Sequence, residues 1–136
     1  MSLSRRAAVG AVVRLAVATA AFPRDALGAR RRRTALHPEP RPGITGERVL
    51  AAEKVPGKHR DAYDVARELP DVLDGLYCHC DCAERDGLRS LLECYYGAMP
   101  QSCRVCLNEA RMAKRLHDEG RSLAEIRRAI DDEYRD

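Results

Sequence analysis

From Asp61 onward the apolar positions recur at helical spacing. Ala62, Val65, Ala66 and Leu69 fall at i, i+3, i+4 and i+7, one face of a helix, and Pro70 ends or kinks that element because its ring removes a hydrogen-bond donor. Val72, Leu73 and Leu76 carry an apolar face onward, and Leu88, Leu91, Leu92 and Tyr95 repeat the spacing between Gly87 and the stop signals Gly97 and Pro100. A third helix opens at Cys103 and runs along Val105, Ala110, Ala113 and Leu116 to Gly120. Ser122-Leu123-Ala124-Glu125 has the form of a capping box, in which serine and glutamate each satisfy an orphan backbone N–H. Leu123, Ile126, Ile130 and Tyr134 supply the buried stripe of that last helix. No stretch alternates with period two and no segment repeats. The pattern therefore predicts an all-α domain over residues 61–136, a small bundle of about four short helices around a cysteine-rich loop.

Upstream the periodicity lapses. Pro38, Pro40, Pro42 and Pro56, with Gly43, Gly46 and Gly57, disfavour helix and paired strand, so residues 30–60 read as a basic, Pro/Gly-rich linker in which His37 and His59 are solvated. Residues 1–29 read as an export signal of the twin-arginine type: Ser4-Arg5-Arg6 precedes a small-residue and aliphatic run from Ala7 to Phe22. Ala18 and Ala20, or Ala26, Gly28 and Ala29, offer cleavage positions. Ala8 stands where that signal usually has Phe, and Arg14 interrupts an apolar run too short for a stable membrane span, which takes about 18 or more apolar residues. Arg30 to Arg33 resist simple translocation, since positive charge tends to stay on the cytoplasmic side. An unstructured basic leader is the alternative; the export reading places the protein in the bacterial periplasm or outside the cell.

Composition sharpens this picture. With one Phe, no Trp and five Tyr in 136 residues, the chain has little bulk for a core, and domains of this size commonly add disulfides or a metal. The net charge of +3 hides a split: residues 1–46 carry nine Arg against Asp25 and Glu39, whereas residues 47–136 carry 15 basic against 19 acidic side chains. A mildly acidic domain excludes a nucleic-acid role.

All six cysteines lie between Cys78 and Cys106, as Cys78-His79-Cys80-Asp81-Cys82, then Cys94, then Cys103-Arg104-Val105-Cys106. An extended Cys-x-Cys-x-Cys run points its three sulfurs to one side, and a tight loop converges them on a point. Cys-x-x-Cys at a turn into a helix brings two sulfurs within reach of one metal ion or of each other. Three readings follow. In the first, Cys78, Cys80, Cys82, Cys94, Cys103 and Cys106 hold a soft ion, copper(I) or zinc, with Cys94 bridging; the surplus of thiolates favours copper(I) or a multi-thiolate cluster. His79, alternating with the cysteines, points away from them. In the second, Cys103 and Cys106 are a redox pair, activated by the helix dipole and Arg104, but without the βαβ context of a thioredoxin-like motif. In the third, six cysteines staple an interaction domain in one of 15 pairings, against which Cys-x-Cys closes only a tiny loop. The partner is a metal donor or acceptor in the first reading and a thiol-redox protein in the second; oligomeric state is left open.

The remaining chemistry is sparse. Met99 reads as packing filler, His117 as a complement to its helix C-terminus, Tyr95 and Tyr96 as core and rim, and Asp131-Asp132-Glu133 as solvated helix surface. No Ser-His-Asp signature, phosphate-cradling glycine loop or basic nucleic-acid patch is present.

The order of these features resembles the CYCxC family, or PCYCGC-motif proteins, small exported bacterial proteins of which some contain selenocysteine in the motif. Tyr63-Asp64-Val65-Ala66 and Leu73-Asp74-Gly75-Leu76-Tyr77 match its pattern before the triple-cysteine motif, and Gly87, Ser90-Leu91, Cys94, the Cys103–Cys106 pair and Glu109-Ala110 match it after. Glu119-Gly120-Arg121-Ser122, Glu125-Ile126-Arg127, Ile130-Asp131 and Tyr134 complete the match, over about residues 61–135. Tyr77 replaces the motif proline, His79 its tyrosine and Asp81 its glycine, and Leu88 stands where a histidine commonly follows the glycine. The resemblance implies export, helical architecture and a shared thiol site.

Overall fold

The computed structural model describes residues 36–134, which contain six α-helices and no strand. The export segment expected over residues 1–29 lies outside the described residues. The helices are α1 (Arg60–Glu68), α2 (Pro70–Asp74), α3 (Cys82–Asp86), α4 (Leu91–Cys94), α5 (Arg104–Asp118) and α6 (Leu123–Glu133), with single 3-10 turns at Ala52–Lys54, Gly57–His59 and Met99–Ser102. No helix among the described residues is long and apolar enough to cross a membrane.

Each boundary has a local cause. Ala62, Tyr63, Val65 and Ala66 form the buried face of α1. Pro70 cannot extend that helix, so Leu69 leaves the helical region (φ −125°, ψ 53°) and Pro70 begins α2 at a position where its missing N–H costs nothing. The capping box at α6 is present: Glu125 N–H donates to Ser122 Oγ at 3.3 Å and Ser122 N–H to Glu125 Oε2 at 2.8 Å.

α5 is the central element, with α1 and α6 packed along it and α2 against α4. Leu73, Leu76, Leu91, Leu92, Ile126 and Ile130 are at most 1 % exposed, each burial stabilising by about 1.5–3 kcal/mol. Tyr63 and Tyr95 meet edge to face at 4.9 Å, and both hydroxyls are satisfied, on Gly97 O (2.8 Å) and Cys106 O (2.7 Å). With one Phe and no Trp in the chain, this tyrosine pair is the aromatic centre of the core.

The linker expected over residues 30–60 is corrected for residues 36–60, which pack onto the helices. Val49 and Val55 are buried in the common core, and Leu50 N–H donates to Tyr95 O at 2.9 Å. Gly46 lies so close to α1 that a Cβ there would come within 2.6 Å of the Arg67 backbone, which only glycine permits. Prolines and glycines correctly signal that residues 36–59 form no α-helix or strand, only two short 3-10 turns. What they do not reveal is that arginines from distant parts of the chain satisfy the segment's carbonyls: Arg127 of α6 binds Pro38 O at 2.6 Å, Arg89 of the α3–α4 loop binds Glu39 O and Arg67 of α1 binds Leu50 O.

Asp74 is the main tie between this segment and the helices. Its fully buried carboxylate accepts from Arg41 N–H (2.8 Å), Arg41 Nη2 (2.7 Å), Ser90 Oγ (2.9 Å) and Arg89 Nη1 (3.1 Å). Burial alone would raise its pKa, but the hydrogen bonds from Arg41 and Ser90 outweigh it and hold the group at about 2. A carboxylate depressed from its unfolded value contributes stability above that value and loses it as pH falls toward the folded one. Asp74→Asn should therefore cost about 2 kcal/mol at pH 7, and urea titrations should show the gap from wild type closing between about pH 4 and pH 2.

Candidate metal centre

The cysteine motif folds as a tight turn. Asp81 adopts left-handed backbone (φ 62°), the only non-glycine among the described residues to do so. Asp is one of the few side chains that visit this region. The turn brings Cys80 and Cys82 to a Cα separation of 5.5 Å, and they form a disulfide. Cys-x-Cys closes only the tiny loop expected of it, and it does so here because a left-handed residue between the two cysteines, rather than extended backbone, places both sulfurs on one side.

Cys78, Cys94, Cys103 and Cys106 are free thiols. Cys78 reaches the cluster from the segment after α2, Cys94 from the end of α4, and Cys103 and Cys106 from the N-cap and first turn of α5. Cys78 Sγ lies 3.3 Å from both Cys80 Sγ and Cys106 Sγ, and Cys80 Sγ lies 3.5 Å from Cys106 Sγ. Two groups result. The sulfurs of Cys78, Cys82, Cys94 and Cys106, all buried, lie within 4.8 Å of one another, as do those of Cys80, Cys103 and Cys106. Thiolates around a tetrahedral ion at ~2.3 Å stand about 3.8 Å apart, a spacing this cluster brackets, so it can hold a metal ion. All six predicted cysteines are brought together. The shared sulfur is Cys106, in place of the bridging Cys94 expected from the order of the chain.

The buried thiols are held protonated. Cys78 is pushed well above the ordinary thiol range by its hydrogen bond with Cys106 and by burial, against an opposing contribution from Cys94. For Cys94, the contact with Cys106 favours the thiolate but Cys78 and burial outweigh it; for Cys106, Cys78 favours the thiolate but Cys94 and burial outweigh it. Such thiols are poor nucleophiles on their own, and a cation entering the cluster would supply the charge that lets them ionise.

His79 points away from the sulfurs. Nδ1 lies 2.6 Å from Glu109 Oε1 and Nε2 lies 3.1 Å from Asp131 Oδ1, so both ring nitrogens donate to carboxylates. Burial opposes its protonation, but the bonds to Asp131 and Glu109 outweigh that and raise its pKa to about 9. His79 N–H also donates to Glu109 Oε1 at 3.0 Å, and Tyr134 stacks on the ring at 5.5 Å. Glu109 Oε2 is buried with no hydrogen-bond partner.

Two expectations are corrected in this network. His37, taken as solvated, is buried: its Nδ1 accepts from Tyr77 N–H at 2.9 Å and its Nε2 contacts Asp131 Oδ1 at 3.0 Å. Asp131, taken as solvated helix surface, is 4 % exposed, and its carboxyl is held below the usual range because the bonds from His37 and His79 outweigh its burial. Only the helical phase of Asp131, one residue past Ile130, hinted that it borders the buried stripe.

On the solvent side Cys80, Cys82, Arg85, Met99, Cys103 and Arg104 border a cleft of about 390 Å³. Met99 packs against the core, as filler. Tyr95 is core and Tyr96 rim, the latter lying under Arg48 at 4.4 Å.

The fold and site define a small helical protein built around a buried thiol cluster. The chain belongs to the family described as proteins of unknown function with a PCYCGC motif, which matches residues 49–136. No curated protein and no solved structure gives a significant match. The glycine of the PCYCGC motif corresponds to Asp81, whose left-handed backbone is one that glycine adopts freely.

Asp81→Gly should accordingly hold or raise stability by up to about 1 kcal/mol, and Asp81→Val should lower it by about 1–2 kcal/mol, read from thermal unfolding. Alkylation offers a second check. Without reductant, the unfolded protein should take up label at the four free cysteines, and the native protein should label fast only at Cys103, whose sulfur borders the cleft.

Proposed function

We propose that this protein binds a soft metal ion, copper(I) or zinc, through clustered thiolates, those of Cys78, Cys94, Cys103 and Cys106 joined by Cys80 and Cys82 once their disulfide is reduced, and serves in its sequestration or delivery outside the cytoplasm. One observation carries the reading: four buried sulfurs from three separate parts of the chain lie within 4.8 Å of one another. Buried thiols pack as small apolar groups, but three free ones converging with a fourth buried sulfur also make a ready set of soft ligands once they ionise. Thiolate sulfur selects soft ions. Bound metal would replace the thiol protons, and the ion's charge would offset the thiolates that form. Export is supported by Ser4-Arg5-Arg6 and the Ala7–Phe22 run, and the twin-arginine route carries proteins already folded around a metal. The partner is then a metal donor or acceptor.

Thiol–disulfide exchange is a second reading, favoured by the Cys80–Cys82 disulfide at the edge of a cleft that also holds the free Cys103. A thiol-redox protein would be its partner.

Elemental analysis of the full chain, purified without chelator and with either ion supplied, separates the two. Binding predicts stoichiometric metal that Cys78→Ser and Cys106→Ser each reduce by at least half while helix content is retained. Unchanged metal in both variants, or none in wild type, defeats this reading. Metal-free protein that oxidises a dithiol in turnover favours the second.

A further inference from the structure

Two sulfur groups share one atom. Cys106 belongs to the buried set with Cys78, Cys82 and Cys94 and also to the set with Cys80 and Cys103. The Cys80–Cys82 disulfide takes one sulfur from each set, which leaves Cys78, Cys94 and Cys106 on the buried side and Cys103 with the shared Cys106 on the cleft side.

We propose that reduction of the Cys80–Cys82 disulfide opens a second metal site beside the first, so that the reduced protein holds two zinc-class divalent ions bridged by Cys106 and the oxidised protein at most one. The inference rests on the soft-metal reading above and adds its stoichiometry and its redox control. In the reduced protein, Cys78, Cys82, Cys94 and Cys106 supply the four thiolates of a closed tetrahedral site. Cys80, Cys103 and Cys106 supply three, and the fourth position faces the cleft bordered by Cys80 and Cys103, the arrangement of a site that exchanges its ion or takes a ligand from a partner. In the oxidised protein an ion in the second position would have Cys103 as its sole unshared thiolate.

Charge favours divalent ions. Six thiolates with two divalent cations leave a net charge of about −2, and Arg85 and Arg104 line the cleft at the open side. Two monovalent ions would leave far more negative charge against the buried Glu109.

The reductant is an external dithiol. Its first thiolate bonds to Cys80 Sγ, on the half-buried residue of the pair, as the Cys80–Cys82 bond breaks, and Cys82 leaves as a thiolate that takes up a proton. The second thiol displaces Cys80 in the same way. The dithiol ends as a disulfide, two electrons and two protons have passed to the protein, and each new thiol loses its proton to solvent when the metal binds.

Native mass spectrometry of the full chain titrated with zinc tests this, once as the disulfide form and once after dithiol reduction and desalting under nitrogen. Two zinc ions are expected on the reduced protein and no more than one on the oxidised. Cys103→Ser and Cys80→Ser, both at half-buried positions outside the closed set, should each hold one ion when reduced. One ion on reduced wild type, two on reduced Cys103→Ser, or two on the oxidised protein overturns the inference and leaves a single site standing. No zinc in either state also overturns it, and a parallel copper(I) titration that shows none either removes the metal reading as well.

Discussion

The clamp on His79 sets the geometry of the whole cysteine site. The imidazole is held between Glu109 of α5 and Asp131 of α6, at 2.6 and 3.1 Å, with its backbone N–H on the same glutamate. These bonds tie the motif turn to both long helices. With His79 pinned toward the carboxylates, the turn leaves the sulfurs of its neighbours Cys78 and Cys80 at 3.3 and 3.5 Å from Cys106 Sγ. Glu109 and Cys106 stand three residues apart on one face of α5, so a single helical turn presents both the anchor and the sulfur that the anchored loop meets. His37 adds a second bond to Asp131, and its seat on the Tyr77 N–H draws the segment before the helices into the same network.

The clamp also bears on charge. A thiolate cluster gathers negative charge in a place where burial penalises it, and the orphaned oxygen of Glu109 adds more. The buried thiols of Cys78, Cys94 and Cys106 answer by staying protonated. His79, raised to about 9, is the positive group nearest the motif in sequence, and its charge is spent on Glu109 and Asp131 rather than on the sulfurs. Arg85 and Arg104 stand at the cleft beside Cys80, Cys82 and Cys103, and a cation in the cluster would bring further counter-charge. In a core this thin in aromatic residues, an ion held there would add to folding stability.

The disulfide and the cluster are two states of the same sulfurs. Cys82 closes a ring with Cys80 and is also a corner of the buried four-sulfur group. The left-handed backbone at Asp81 sets the two cysteines side by side, with their Cα atoms 5.5 Å apart. Half of the site lies in the core and half borders a cleft.

Much of this was legible in the chain. The helices announce themselves through the spacing of Ala62, Val65 and Ala66 or of Ile126 and Ile130, through Pro70 and through the Ser122–Glu125 capping box, all governed by neighbours within one or two turns. The gathering of six cysteines into 29 residues, from Cys78 to Cys106, likewise points to a sulfur site without any knowledge of the fold. Which sulfurs meet was decided only in three dimensions: the left-handed turn at Asp81, the approach of α4 to α5 and the pinning of His79 make Cys106, not Cys94, the shared atom. The burial of His37 and Asp131, and the docking of residues 36–60, were equally hidden. Those contacts join positions up to 94 residues apart, and periodicity records only which face of an element is buried, not which distant side chain will cover it.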